Sequence, residues 1–287
     1  FSIILDKGYQ INQGLKLYLK STVPTNAGLS SSSSLELLIL TILNSLFNLK
    51  LTKTEMALIG QEIENKYIGV NSGIMDQYAI IHGKKDHAIL LDTNKLEHRY
   101  IPLNLTGHKL IIINSNKKRS LTDSKYNQRF RESQQSLNLL KKHYNISALA
   151  QLKETDLLAI EKLNLGLLFK RIRHVVTEQE RVLQSVEALE SGEIEKFAKL
   201  MIASHNSLKN DYEVTGLELD ALVNASLKAG ALGARMTGAG FGGCIIVLVE
   251  EQKIESFTKE VANDYCKIVN LNPSFYYVET SDGTKEI

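Results

Sequence analysis

A run of five serines, Ser30 to Ser34, joins a glycine-containing loop to a strongly apolar segment. Serine runs are typical of flexible linkers, but here apolar residues follow at steps of three and four, which predicts one face of a helix. The residues of this predicted face are Leu35, Leu38, Ile39, Ile42 and Leu46. A helix that starts this way presents unpaired backbone N–H groups and the positive end of its dipole. The pattern indicates a phosphate site, with an ordinary serine N-cap as the alternative.

The elements around this loop predict a mixed architecture. Residues 14–23 alternate apolar and polar side chains, which predicts a strand before the serine loop. A second helix is predicted from Lys53 to Tyr67, started by Thr52. Helices and strands then alternate without a sustained βαβ rhythm, which favours an α+β fold of two domains. Pro102 and Gly107 indicate the boundary, so the predicted domains are 1–105 and 106–287.

Composition excludes several classes of protein. The 287 residues are 43% hydrophobic and 23% charged, which is typical of a globular protein with a core. A formal net charge of +2 and a basic cluster of only three residues, at 117–119, argue against a nucleic-acid partner. No apolar run approaches the ~20 residues that span a bilayer. Two cysteines without metal-ligand spacing favour a reduced, cytoplasmic protein.

Two acidic residues are candidates for chemistry. Asp76 follows an Ile-Met pair and the glycines at 69 and 73, where a carboxylate can accept a hydroxyl proton. The alternative is a first-turn aspartate that interacts with the helix dipole. Glu64 lies near the predicted end of the second helix and is either a surface carboxylate or a Mg²⁺ ligand.

A second glycine-rich segment, 238–243, has four glycines in six residues beside a predicted strand. It forms either a nest of backbone N–H groups or a turn that needs positive φ angles. Together with the serine loop, it favours nucleotide phosphate binding. Neither loop has the sequence of a P-loop or of a dinucleotide fingerprint.

Three motifs together resemble the GHMP small-molecule kinases and, within them, the galactokinase family: Gly28–Ser32, Gly73–Gln77 and Arg235–Gly243. The resemblance extends to Tyr126-Asn127 with Arg129 and to 204–214, and it covers essentially the whole chain in the family's order. It implies a two-domain α+β GHMP-kinase fold. A partial N-terminal α/β domain resembling ribosomal protein S5 would be followed by a ferredoxin-like C-terminal domain.

The resemblance also implies roles for individual residues. Asp76 would activate the C1 hydroxyl of galactose, with Gly73 and Tyr126 in the same sugar pocket, while Ser32 and Glu64 would bind Mg²⁺. The implied phosphate loop of MgATP comprises Asn26, Ala27, Gly28, Leu29, Ser30, Ser31 and Ser32. The implied third family motif, which supports the active site, contains Gly238, Gly240, Gly242 and Gly243.

The implied activity is ATP-dependent phosphorylation of galactose at C1, in the Leloir pathway, by a monomer. Two alternatives stay open: a non-catalytic galactose sensor, and a kinase for a related sugar such as N-acetylgalactosamine. The sequence departs from the family at Ser33, Phe130 and Ser133, where Ala, Arg and Cys are common, and these changes should affect packing more than chemistry. The family's N-terminal signature Arg-Val-Asn-Leu-Ile-Gly-Glu-His-Thr-Asp does not occur. We therefore interpret 1–105 as a remnant of the family's N-terminal domain. We expect the 287 residues alone to be inactive.

Overall fold

The chain divides into two compact units in a computed structural model, which describes residues 1–24, 28–69, 71–117 and 122–286. The first unit contains Phe1–Leu103 and Thr280–Ile287, and the second contains Asn104–Glu279. The domain limits 1–105 and 106–287 stay a prediction. The two units differ from these limits mainly at the C-terminus, where the backbone N–H of Gly283 donates to the carbonyl of Gly83 at 2.7 Å.

The first unit is mainly helical. Its described residues form the α-helices α1 (Ser2–Asp6), α2 (Ser31–Leu46), α3 (Lys53–Ile63) and α4 (Met75–His82). A π-helical turn, Glu64–Ile68, continues α3 directly. The strands β1 (His87–Asp92) and β2 (Glu97–Pro102) form an antiparallel pair in which His87 lies opposite Pro102.

Helix α2 forms as predicted, and its buried side differs from the apolar face whose spacing predicted it. Leu37, Leu40 and Leu43 are buried in the core of the first unit. The helix predicted from the spacing of Leu35, Leu38 and Leu46 forms, and these three residues are 49%, 38% and 57% exposed. The helix is apolar on more than one side, and its spacing alone does not determine which side packs against α3 and α4.

The predicted second helix begins where the sequence indicates. Thr52 accepts a hydrogen bond from the backbone N–H of Glu55, and the Glu55 carboxylate accepts from the backbone N–H of Thr52. This capping box satisfies two N–H groups that a helix start leaves unpaired. The α-helical part ends at Ile63, before the predicted end at Tyr67, because the π-helical turn replaces its last residues.

The strand predicted at 14–23 does not form in the first unit. Residues 14–23 have no regular secondary structure, and Leu17, Tyr18 and Leu19 are exposed. Alternating side chains make a strand only where a neighbouring strand completes the hydrogen-bond ladder. Among the described residues, no strand pairs with this segment, so the prediction is wrong.

The second unit is a four-stranded antiparallel sheet with helices. Its strands are β3 (His108–Asn114), β4 (Gly233–Met236), β5 (Cys244–Glu250) and β6 (Ser274–Tyr277), in the order β4-β5-β3-β6. Its helices are α5 (Thr122–Leu140), α6 (Leu157–Glu161), α7 (Leu167–Glu190), α8 (Ile194–Ser207), α9 (Leu217–Lys228) and α10 (Ile254–Val269). A second π-helical turn, Leu208–Tyr212, continues α8.

Both faces of this sheet are covered. On one face, Ile113 and Val247 pack in a core with Leu222 of α9 and Phe257 of α10. On the other face, Leu248 packs with Ala198 and Met201 of α8. Because side chains alternate along a strand, the apolar run of β5 serves both cores. Within the part of the chain that the structure describes, no helix is long and apolar enough to cross a membrane.

Candidate active site

The serine run begins α2, with Ser31 as the first helical residue. Ser30, the N-cap residue, has a left-handed φ of 54°, and its side chain makes no capping hydrogen bond in the described residues. Its hydroxyl instead hydrogen-bonds to the side chain of Asp76. The ordinary serine N-cap is therefore not what the structure shows, and the first-turn N–H groups of α2 do not receive that cap.

Most of the predicted phosphate loop lies at this helix start. Gly28, with a φ of 73°, adopts the left-handed conformation, and Leu29 is half-buried beside it. Asn26 and Ala27 lie outside the described residues. A loop that leads into a helix N-terminus can bind an anion through its backbone N–H groups.

Ser32 and Glu64 are brought together from different helices. The hydroxyl of Ser32 donates a hydrogen bond of 2.6 Å to Oε1 of Glu64. Ser32 is exposed, whereas Glu64 is buried and begins the π-helical turn after α3. Single π-helical turns inside α-helices frequently lie at functional sites. The two side chains therefore place a hydroxyl and a carboxylate oxygen at one point of the site.

Asp76 lies in the first turn of α4, as the alternative interpretation also placed it. Burial raises the pKa of its carboxyl above the ordinary value, the hydrogen bond from Ser30 lowers it in part, and the charge of Glu64 raises it again. The helix dipole does not dominate, since the net shift is upward. A carboxylate with a raised pKa is a better proton acceptor than an ordinary aspartate.

Glu36 is a member of this cluster that the sequence analysis missed. Burial and the charge of Glu64 raise the pKa of Glu36 to about 7. Its Oε2 atom is buried and has no hydrogen-bond partner among the described residues. Glu36 follows Ser32 by four positions, so both lie on one face of α2. The sequence signal that could have identified Glu36 is its charge in an otherwise apolar helix, four positions after Ser32.

The donor atoms here suit Mg²⁺ better than a metal that needs a complete protein cage. In the described part of the chain, no three His, Cys, Asp or Glu side chains are grouped to hold a metal ion. Mg²⁺ usually takes one or two carboxylates and completes its shell with phosphate and water oxygens. Ser32 and Glu64 supply two hard oxygen atoms at one place, so the residues fit this ion.

Gly73, a predicted sugar-pocket residue, precedes α4 and is exposed. A Cβ atom added there would meet no atom of the described residues within 4 Å. Its φ is also outside the range that favours glycine. Among the described residues, neither packing nor backbone conformation requires glycine at this position.

The third predicted motif forms the connection between β4 and β5. Its four glycines all have positive φ angles: Gly238 78°, Gly240 82°, Gly242 125° and Gly243 87°. At Gly240 an added Cβ would lie 2.2 Å from the carbonyl oxygen of Val214, so a side chain cannot fit. The next residue, Phe241, donates its N–H to that same carbonyl at 2.7 Å. The loop is therefore a turn that needs glycine and docks closely on its neighbour.

Tyr126 lies in the first half of α5 and is half-buried. Two departures from the family lie on the same helix. The hydroxyl of Ser133 is 3.3 Å from that of Tyr212, and the Phe130 ring is partly exposed on a surface groove. The structure thus brings Ser30, Ser32, Glu64 and Asp76 together in the first unit, whereas Tyr126 and the glycine-rich loop belong to the second.

Comparison with known proteins decides the family. The GHMP kinases N terminal domain matches residues 3–84, and the GHMP kinases C terminal domain matches residues 185–267. A galactokinase of Clostridium perfringens is 48% identical over 287 residues, which is 99% of this chain and 74% of that protein. The chain belongs to the galactokinase family.

Other galactokinases support the same family assignment. That of Ligilactobacillus salivarius is 45% identical over 98% of this chain and 73% of its own length. The crystal structure of Lactococcus lactis galactokinase complexed with galactose matches with a TM-score of 0.96 and 44% identity, over 100% of this chain and 74% of that chain. A mevalonate kinase at 23% identity, with a TM-score of 0.58, shares the fold. The predicted α+β, two-domain GHMP-kinase fold is confirmed.

Proposed function

We propose that the chain transfers the γ-phosphoryl group of ATP to the C1 hydroxyl of galactose, giving galactose 1-phosphate and ADP, as in the Leloir pathway. The observation that carries this proposal is the pairing of the serine run with two acids. Ser32 binds Glu64 and Ser30 binds Asp76 through side-chain hydrogen bonds. The relatives support it, because they are galactokinases at 44–48% identity and one of them was crystallised with galactose.

Phosphoryl transfer depends mainly on positioning and on stabilising negative charge. In this proposal, the backbone N–H groups at the start of α2 bind phosphate oxygens of ATP. Ser32 and Glu64 would hold Mg²⁺, which supplies neutralising charge to the phosphates when it is bound. Glu36 lies close enough to Glu64 that burial and then the charge of Glu64 raise the pKa of Glu36 to about 7.

Asp76 is the proposed base. It accepts the proton of the C1 hydroxyl while that oxygen forms a bond to the γ-phosphorus, and the bond from phosphorus to the β–γ bridging oxygen breaks to release ADP. The hydroxyl of Ser30 stabilises the charged form of this carboxyl, since it lowers the pKa of Asp76 against the effect of burial. A positioned base of this kind contributes roughly 10²–10⁴-fold to the rate.

Gly73 and Tyr126 are the proposed sugar contacts. The open space at Gly73 supports this assignment, since no described residue would meet a side chain there. The two alternative functions gain no support from the relatives, which are galactokinases. The proposed state of the protein is a cytoplasmic monomer.

The test is galactose-dependent ADP release with MgATP, measured on the purified protein. We expect Asp76→Asn to lose roughly 10²–10⁴-fold in kcat while ATP binding is retained. Asp6→Asn, at an exposed aspartate of α1, is the control and should keep full turnover. Near-normal turnover of Asp76→Asn would refute the role of Asp76.

Two further arms test the rest of the proposal. Galactose and N-acetylgalactosamine are compared as phosphoryl acceptors. Faster turnover of N-acetylgalactosamine would show that it, and not galactose, is the substrate. Galactose binding without ADP release by the purified protein would favour the sensor instead.

A further inference from the structure

The second unit contains a turn whose conformation needs external support. The π-helical turn after α8 ends at Glu213, which has a left-handed φ of 55°. A residue with a side chain adopts this conformation at a cost in free energy, and it persists where neighbouring groups hold it. We call residues Asp211 to Val214 the 211–214 turn.

Arg171 of α7 binds this turn from inside the unit. The residue is 0% exposed, so each of its donors needs a partner. Its Nε donates to Oε2 of Glu132 at 2.7 Å, and its Nη2 donates to Oε2 of Glu213 at 2.9 Å. Its Nη1 donates to the backbone carbonyl of Asp211. One guanidinium thus connects α7, α5 and the turn.

Arg129 of α5 binds the same turn from another side. Its Nε donates to the carbonyl of Tyr212 at 2.7 Å, and its Nη2 donates to the carbonyl of Glu213 at 3.3 Å. Its Nη1 contacts both carboxylate oxygens of Glu132, at 3.0 and 3.1 Å. Glu132 therefore lies between two arginines, and both arginines bind carbonyl groups of the turn. We call Arg129 and Arg171 the arginine clamp.

The 211–214 turn also holds the glycine-rich loop. The carbonyl of Val214 accepts the N–H of Phe241 at 2.7 Å, and Gly240 leaves no space for a side chain there. The Nζ of Lys125 lies 5.3 Å from the centre of the Phe241 ring, so the first turns of α5 contact the loop directly as well. Lys125 is the neighbour of Tyr126 in the sequence.

We propose that Arg129 and Arg171 are positioning residues that set where α5 presents Tyr126 relative to the glycine-rich loop. The clamp fixes the 211–214 turn, the turn fixes the loop through Val214, and Arg129 fixes α5 one helical turn beyond Tyr126. This inference rests on the proposed function, since that function gives Tyr126 and the loop their roles. Neither arginine needs to touch a substrate.

The test uses Arg129→Lys and Arg171→Lys. Lysine keeps the positive charge but cannot bind a carboxylate and backbone carbonyls with one planar fork. We expect a rise of roughly 10-fold in KM for galactose and a smaller change in kcat, because a displaced contact residue weakens substrate placement. Arg129→Lys is included in case Arg171→Lys does not fold. Arg129 is less deeply buried than Arg171, so its replacement should cost less folding stability.

The control is Ile160→Ala, at a fully buried residue of α6 in a separate hydrophobic cluster of the same unit. Its cluster includes Leu140 of α5 and Ile172 of α7, but Ile160 makes none of the clamp's hydrogen bonds. The variant should lower the melting temperature, and its KM should match that of the wild type. If the KM of the control for galactose rose as much as that of the lysine variants, the effect of the arginines would be a general loss of stability. That result would overturn the proposal. An unchanged KM in both lysine variants would do the same.

Hydrogen exchange separates this proposal from the proposed function. In both lysine variants, the amides of 209–215 and 237–243 should exchange at least about tenfold faster, while those of α6 keep their protection. If the wild-type protein shows no phosphoryl transfer, the proposed function fails and the exchange result still decides whether the clamp holds the loop. Unchanged exchange in both segments overturns the clamp whatever the activity.

Discussion

The hydroxyl of Ser32 donates a hydrogen bond of 2.6 Å to Oε1 of Glu64, a residue 32 positions later in the chain. This bond joins the start of α2 to the end of α3, and it brings two hard oxygen atoms to one point. Helix α2 supplies N–H groups for phosphate at the same end. A cation bound by both oxygens would therefore lie next to bound phosphate.

The first prediction concerns this pair. Glu64→Gln keeps the shape of the side chain but loses its charge, and Ser32→Ala removes the hydroxyl. In both variants, the Mg²⁺ concentration for half-maximal turnover should rise at least about tenfold, since even outer-shell changes at metal sites cost that much affinity. The measurement is the rate against Mg²⁺ concentration at fixed ATP. Glu62→Gln, two positions before Glu64 and paired with Lys66, is the control, and an unchanged Mg²⁺ response in both site variants would contradict the assignment.

A second prediction uses the bond between Ser30 and Asp76. This bond lowers the pKa of Asp76 against the effect of burial, so its loss should raise that pKa further. Because the base works as the carboxylate, the acid limb of the pH profile of kcat/KM should move to higher pH. Ser30→Gly is the right variant, since glycine tolerates the left-handed φ of 54° that alanine does not. An acid limb that stays at the wild-type pH would contradict the prediction.

Much of the local structure follows from the sequence alone. The helix at the serine run and the helix that Thr52 starts both begin where their patterns predict them. These signals are local, because a helical pattern or a cap is determined by residues close in the chain. The grouping of the serine run with Glu64 and Asp76 depended on the resemblance to a family. Their roles stay predictions.

The remaining features depend on contacts between distant segments. The inward face of α2 is determined by which side α3 and α4 cover, and Leu35 and Leu37 are equally apolar in the sequence. The network around Arg171 joins residues about 40 positions apart, at Glu132 and Asp211. No periodicity marks such pairs. Buried polar residues are typically missed for this reason, since their charge alone predicts exposure.

A third prediction separates two reasons for glycine. Gly240 and Gly192 both have positive φ, at 82° and 70°, but an added Cβ meets the Val214 carbonyl only at Gly240. Gly192→Ala should lower the free energy of unfolding by about 1–2 kcal/mol, the cost of the left-handed conformation. Gly240→Ala should cost about 1–3 kcal/mol more, because the loop must also move away from Val214. Urea unfolding of both variants measures this difference, and equal losses would show that close approach at Gly240 has no separate effect.

The last prediction concerns His174, a buried residue of α7. Its Nδ1 atom is hydrogen-bonded to the Ser207 hydroxyl at 3.0 Å, and its ring stacks on the Tyr212 ring. Burial lowers the pKa of His174 to about 4, whereas an unfolded histidine titrates near 6.5. Between these values the unfolded chain binds a proton that the folded chain does not, so the free energy of unfolding falls as the pH decreases through this window. The loss is on the order of 3 kcal/mol. His174→Gln should flatten the dependence of urea unfolding on pH between 4.5 and 7, relative to an exposed control, His143→Gln. Parallel curves for the two variants would contradict the prediction, because they would show that His174 is not the group whose protonation destabilises the fold.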